Sequence, residues 1–405
     1  MFEIVRHHNP ALLARKLAAT ISEQRANTCS NALTPIDILV PNSSVGRWLN
    51  IQLAQNNHIS ANLKMHLPSR YLWELLRKMD SSMAEPSPYE PKRLVWYIYA
   101  LLDKKNRAVE SRSTGTTSQN PNGMTHQWFQ AMELGRIFHE YLTYRPHMLL
   151  EWERKSVDRS ADPQQVQWWL DLVELIGNRH HGRLMEECST RLDCMPDDQI
   201  AQFLPSRLIC FGLAHLAPPY VQLLAGLSKK IEVLFYLNNP CNEYWGDIKT
   251  QRVRLYDLAE SVDNLPYEHK IATSHPLLAS LGRAQRDLIR MLYSDQLQAQ
   301  EFDDSWEDLE SKEIDSAGEK DPLLKRIQAG IIKMNAHSDE TSRPTTDDDQ
   351  HDQCSLQIHA CHTPLREVQV LRDQLLDLMM RDPTLEFKDI AVMMPDINRY
   401  ASAIR

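Results

Sequence analysis

The chain has 405 residues, 42% of them hydrophobic and 24% charged, enough for about two or three globular domains. A formal net charge of −9 speaks against attachment to nucleic acid by overall charge. A local basic patch is still allowed, because much of the acid is concentrated in EFDDSWEDLESKEIDSAGEKD (301–321) and ETSRPTTDDDQHDQ (340–353).

Residues 2–6 (FEIVR) read as a strand and PALLARKLAATI as a helix opened by proline. IDILV (36–40) reads as a second strand, followed by a tight turn and a helix to about residue 56. Strand–helix–strand–helix order with short connections predicts a parallel sheet covered by helices. From 68 to 200 the apolar spacing is helical throughout, in RYLWELLRKM, PKRLVWYIYALLDKK, QWFQAMELGRIFHEYLTY, PQQVQWWLDLVELI and GRLMEECSTRL, broken by the flexible SRSTGTTSQNPNG (111–123). Strand RLICFGL, helix PPYVQLLAGLSKK and strand IEVLFYL then form a βαβ unit. After a weakly patterned stretch (240–353), SLQIHAC, PLREVQVLRDQLLDLMM and DIAVMMP predict a closing βαβ unit.

The expected fold class is therefore α/β, a parallel sheet with a large helical insertion. Its divisions are 1–67 (first part of the α/β domain), 68–200 (helical insertion), 201–337 (return of the α/β domain and an irregular acidic segment), 338–354 (mobile linker) and 355–405 (closing βαβ). A last strand without a covering helix suggests part of a longer protein. No run approaches about eighteen apolar residues, and the N-terminus lacks the layout of a secretory signal, so a cytoplasmic protein with no membrane contact is expected. Seven scattered cysteines without a CxxC fit reduced thiols. The one cluster with metal-ligand residue types is Cys354, His359, Cys361 and His362, where strand alternation would put the two cysteines on opposite faces. No metal is expected.

The second turn, LVPNSSVGRWL (39–49), sits where a phosphate-binding loop would sit. Gly46 matches the second glycine of that motif, but Pro41 replaces the first, Arg47 the lysine and Trp48 the hydroxyl residue. Proline removes an inward N–H, and an indole cannot ligate Mg²⁺. The turn thus reads as a degenerate P-loop (Pro41, Gly46, Arg47, Trp48) without ATP hydrolysis, or as an ordinary strand–helix turn. A loop reused to touch a DNA backbone would offer Ser43, Ser44 and Arg47. No paired-carboxylate strand end and no GxSxG elbow is present. The pairs His7–His8 and His180–His181 read as surface residues. Aromatics including Trp73, Trp96, Trp128, Trp168 and Trp169 concentrate in the helical block among Arg70, Arg77, Lys92, Arg93, Arg136 and Arg145. Such a mixture can stack bases and hold phosphates, although core packing explains most of these rings.

The blocks ILVPNSSVGRWLN, ISANLKMHLPSRYLWELL, YLTYRPHMLLEWE, LPSRLICFGLAHLAPPYVQLL, LNNPCNEYWGDIK, HPLLASLGRAQRD and HACHTPLREVQVLRDQLLDLM, in this order, resemble the N-terminal part of the RecC family. RecC is the gamma subunit of exodeoxyribonuclease V, the RecBCD helicase–nuclease. The resemblance implies an inactivated superfamily-1 helicase-like, P-loop-type sheet and no catalytic site or cofactor in this chain. ATP and Mg²⁺ would be used by RecB-like and RecD-like partners in a heterotrimer acting on double-stranded DNA ends and single-stranded DNA. It further implies a role in double-strand break repair by homologous recombination: scaffolding the motors, channelling unwound strands and scanning for the Chi hotspot.

On the matching motifs, the DNA-reading positions would be Ser43 and Arg47, Leu67 and Trp73, and Arg136, Ile137 and His139. Pro41 and Arg47 stand where the family pattern carries glutamines, and Arg136 and His139 where it carries acidic residues, so base edges would meet different groups. The family's strand-splitting pin and nuclease-like domain would lie beyond Arg405. The competing readings are an independent ATP-dependent helicase or nucleotidase, and a helical protein-interaction module without DNA contact.

Overall fold

FEIVRH carries apolar side chains on both faces of its pleat, and in the computed structural model it forms β1 (Phe2–His7), an interior strand. The structure describes residues 1–27, 34–79, 87–110, 121–154, 162–196, 203–248, 275–294, 297, 300–301, 321–334 and 355–404. Two compact units emerge, Met1–Ser311 with Ile331–Ala336, and Lys312–Gly330 with His337–Arg405.

In the first unit, Pro10 opens α1 (Pro10–Asn27), whose Leu13, Leu17 and Ile21 recur at helical spacing and are buried. β2 (Ile36–Leu39), α2 (Ser43–Asn57) and β3 (Leu63–His66) follow. The chain then leaves the sheet through α3 (Pro68–Met79), α4 (Pro91–Glu110), α5 (Pro121–Tyr144), α6 (Pro146–Glu153), α7 (Pro163–Ile176) and α8 (His181–Cys194). It returns as β4 (Arg207–Phe211), α9 (Pro218–Ser228) and β5 (Glu232–Asn238), then α10 (Pro276–Leu281), α11 (Arg283–Leu292) and the two-residue β6 (Gln300–Glu301).

All pairings are parallel, in the order β3-β2-β4-β5-β1-β6. One face packs on α1 and α2, through Leu13, Leu17, Leu49 and Leu53 against Ile38, Ile209 and Leu234. The other packs on α3, α8, α9 and α11, through Leu72, Leu184, Leu224 and Leu288 against Leu39, Leu208 and Phe235. Strands buried on both sides read as unbroken apolar runs, which is why β4 and β5 are legible in sequence. β3 was not expected: LKMH is short and polar-interrupted, as an edge strand permits. The helical insertion has a core of its own, with Leu94, Phe138, Leu149, Trp152, Trp169 and Leu172.

In the second unit Thr363 caps α12 (Pro364–Arg381), its hydroxyl accepting the Arg366 N–H at 3.2 Å. α13 (Ile397–Ile404) is tied to it by Tyr400 Oη donating to Glu367 at 2.9 Å. The expected closing βαβ is corrected here. Only the helix forms, and segments 355–361 and 389–395 pair in no ladder among the described residues. A strand needs a neighbour for its N–H and C=O groups, and neither segment has one there. Their apolar side chains stand in the open, Ile358 at 90% and Met393 at 91% exposed.

The expected linker 338–354, the flexible break at 111–120, most of the acidic segment (302–320), Cys29 and Cys354 lie outside the described residues. Among the described residues no helix is long and apolar enough to cross a membrane, and no three metal-ligand side chains cluster.

Candidate functional site

Adjacent strands β2 and β4 send their connections in opposite directions, β2 through α2 to β3 and β4 through α9 to β5. In open α/β sheets the carboxyl ends of the strands at such a switch point are the usual ligand position. The opposing lips are the turn Val40–Asn42 and the turn that begins at Gly212.

The first lip differs from a P-loop in geometry. α2 begins at Ser43, three residues before Gly46, so no long loop wraps a phosphate. The Asn42 side chain accepts the Val45 N–H at 2.9 Å, taking up a donor that a phosphate would otherwise use. Gly46 lies buried inside the helix, where an added Cβ would stand 3.3 Å from Val40 Cγ2 and 3.5 Å from Met65 Cβ. It is a close-packing glycine that lets α2 lie on β2 and β3. Trp48 packs on Phe211 at a centroid distance of 6.2 Å. Ser43 and Arg47, one turn apart, remain exposed at the lip, and Arg47 makes no ion pair among the described residues.

On the second lip, Gly212 adopts φ 65°, which a side chain resists, and stands beside Val45 of α2. Next along the sheet, His66 at the end of β3 bonds Asp37 of β2 at 2.7 Å and lies 5.0 Å from the Tyr71 ring. Burial, with the Asp37 carboxylate beside it, raises the Tyr71 pKa. This pinned turn presents Leu67, 44% exposed. Trp73, one helix face further, is half-buried and stacks on His181 at 5.8 Å.

His181 links the lips to the helical insertion. It meets Tyr220 of α9 edge-on at 5.4 Å and hydrogen-bonds the Leu142 backbone of α5. Burial, with His180 and His139 nearby, pushes its pKa down to about 4, so the ring is neutral at physiological pH. Trp73 and His139 are thus brought to the same imidazole. At the end of α5, Tyr144 Oη and His215 Nε2 of the β4–α9 turn are 3.3 Å apart. Ile137 is half-buried in α5. Arg136 is exposed but turned to its own helix, 2.6 Å from Glu133 and 2.5 Å from Glu140. Of the two sequence-nominated arginines, only Arg47 is an uncommitted cation among the described residues.

The histidine pairs are not surface residues. His7 and His180 are buried. His180 Nε2 bonds Glu153 Oε1 at 2.6 Å, and its Nδ1 accepts the Arg183 N–H that caps α8. Arg183 reaches the second Glu153 oxygen at 2.5 Å, and Trp169 Nε1 the first at 3.3 Å. Burial works to raise the Glu153 carboxyl, but the bonds from His180 and Arg183 outweigh it and hold its pKa below the ordinary value. Of the tryptophans, Trp152 and Trp169 are core, while Trp96 is 62% exposed and in contact with Trp128 at 4.7 Å.

The characteristic YWGDIK stretch is structural. Trp245 is buried and donates to Asn239 Oδ1 at 2.7 Å, and Arg286 and Arg290 of α11 hold the Ile248 and Gly246 carbonyls at 2.7 and 2.9 Å.

Comparison with known proteins gives relatives of a single name. The chain is 27% identical to the RecBCD enzyme subunit RecC of Haemophilus influenzae, over 91% of this chain and 36% of that protein. It is 28% identical to RecC of Escherichia coli, over 92% and 35%, and 28% identical to RecC of Mycolicibacterium smegmatis, over 97% and 33%. It spans about a third of the length of the curated relatives it matches. The family RecC, N-terminal domain, matches residues 2–334. The chain belongs to the RecC family, through that family's N-terminal domain.

Proposed function

We propose that this chain acts as the N-terminal part of a non-catalytic RecC subunit and receives single-stranded DNA in the crevice between β2 and β4. It would do so within a RecBCD-type complex that processes double-strand breaks for homologous recombination. RecB-like and RecD-like subunits supply the ATP- and Mg²⁺-dependent motor work, and this chain scaffolds them, guides the unwound strand and scans it for Chi.

One observation carries the reading. At the switch point of the parallel sheet, the turn after β2 is closed by the Asn42 cap and the buried Gly46, yet Ser43 and Arg47 stay exposed on the same lip. A guanidinium and a hydroxyl suit a phosphodiester backbone. They do not complete a Mg²⁺–triphosphate site, since Trp48 offers no ligand oxygen.

The test is fluorescence anisotropy of the chain with a labelled oligothymidine across a salt series, beside titration with a fluorescent ATP analogue. Salt-sensitive DNA binding, reduced in Arg47→Ala with a log–log slope shallower by about 0.7, supports it. Tight ATP binding with no DNA binding overturns it in favour of a nucleotidase.

A protein-interaction reading of the helical insertion also has support. Trp96 on α4 and Phe129 and Met132 on α5 are exposed apolar side chains, at 62, 62 and 46% exposure, on two helices that pack together. Co-purification with RecB-like and RecD-like subunits, lost in a Trp96→Glu/Phe129→Glu variant, would place a partner there.

A further inference from the structure

We infer that Tyr144 and His215 are the base-stacking contact of the crevice, a contact that rests on the single-strand reading above and adds two residues to it. Tyr144 ends α5 and His215 lies in the turn after β4, so the pair joins the helical insertion to the second lip of the switch point. Their ring centroids are 5.9 Å apart at 35°, and the Tyr144 Oη–His215 Nε2 hydrogen bond fixes both rings. Tyr144 is 44% exposed and His215 is exposed, so both residues are reachable by a ligand.

Separately, Tyr220 meets His181 edge-on and His181 stacks on Trp73, a ladder of rings between α9, α8 and α3. Trp73 has a ring face occupied by His181 and is half-buried. Its part is within that ladder, while Tyr144 and His215 meet the base. A nucleobase stacks on any flat π-face regardless of sequence, and rings held in place lose little freedom on contact. With Arg47 and Ser43 on the facing lip for the backbone, the crevice then offers both halves of a single-strand contact: cation and hydroxyl for phosphate, aromatic for base.

The experiment is anisotropy of the full 405-residue chain with fluorescein-labelled oligothymidine at several salt concentrations, for wild type, Tyr144→Ala, Tyr144→Phe, His215→Ala and Arg47→Ala. Losing a stacked base should weaken binding about fivefold or more in Tyr144→Ala with no change in salt slope, because no phosphate contact is removed. Tyr144→Phe keeps the ring and should stay within about twofold of wild type. A thermal unfolding transition equal to wild type certifies the fold. Where Tyr144→Ala lacks it, Tyr144→Leu and His215→Ala carry the same test. Wild-type binding weakened by Arg47→Ala but untouched by Tyr144→Ala overturns this inference alone. A changed salt slope in Tyr144→Ala overturns it too. No binding by the wild-type chain overturns both this inference and the single-strand reading.

Discussion

Lowering the pH from 7.5 to 5 should destabilise the wild-type chain more than a His181→Phe variant, by about 2 kcal/mol. His181 is held between Trp73 and Tyr220, and burial, with His180 and His139 nearby, lowers its pKa from 6.5 to about 4. Between those values the unfolded chain binds a proton that the folded chain refuses. Stability therefore falls as pH drops through this window and is unaffected above about pH 7.5, where the ring is neutral in both states. Each tenfold difference in proton affinity between the two states is worth about 1.4 kcal/mol, so the effect approaches 3 kcal/mol near pH 4, and about 2 kcal/mol is already lost at pH 5. Phenylalanine keeps a ring between Trp73 and Tyr220 but does not titrate. His139 and His275, whose pKa values burial also lowers, remain in both proteins and cancel in the difference. Urea unfolding followed by circular dichroism at pH 7.5, 6 and 5 measures it. Equal losses in the two proteins would show that His181 is solvated in the folded state and that the ring ladder is not closed around it.

Three further changes probe the same frame. Asn42→Ala removes the cap of α2 and should cost about 1 kcal/mol in urea unfolding, since the Val45 N–H loses its partner. Gly46→Ala should stay within about 1 kcal/mol of wild type, because alanine's helix propensity offsets a tight but yielding contact with the Val40 side chain; Gly46→Val should lose about 1–3 kcal/mol by overpacking against Met65. Thermal unfolding of both variants decides whether Gly46 is a packing residue. Glu153→Gln should cost about 2–3 kcal/mol, since its amide cannot accept from His180, Trp169 and Arg183 together; a loss below about 0.5 kcal/mol in denaturant titration would mean that the cluster is solvated.

What the sequence showed plainly was what burial dictates. β4 and β5 are apolar runs because helices cover both faces of the parallel sheet that contains them, and α1 and α2 show their inward stripes at helical spacing. β3 escaped because an edge strand needs no such run. The closing βαβ was misread because SLQIHAC and DIAVMMP have strand composition, and composition does not supply a hydrogen-bonding neighbour. The candidate site was half visible. Ser43 and Arg47 were visible in the turn after the second strand, whereas the Asn42 cap that closes this turn came from the structure. That Arg136 is occupied by Glu133 and Glu140 was also readable, as i,i+3 and i,i+4 partners. The Tyr144–His215 contact spans 71 positions and has no sequence signal at all.

Two of the segments that resemble the family are folding devices in this structure. YWGDIK buries its tryptophan and has its carbonyls held by two arginines of α11, while Thr363 caps α12 and Pro364 opens it. Such positions tolerate little change, because a buried indole needs its acceptor and a helix needs its cap. Exposed lip residues such as Arg47 and His215 carry no comparable packing constraint, so substitution there should leave the frame intact. If the proposed single-strand contact holds, base preference would depend on such lip residues, because arginine and amide side chains meet base edges with different donor patterns.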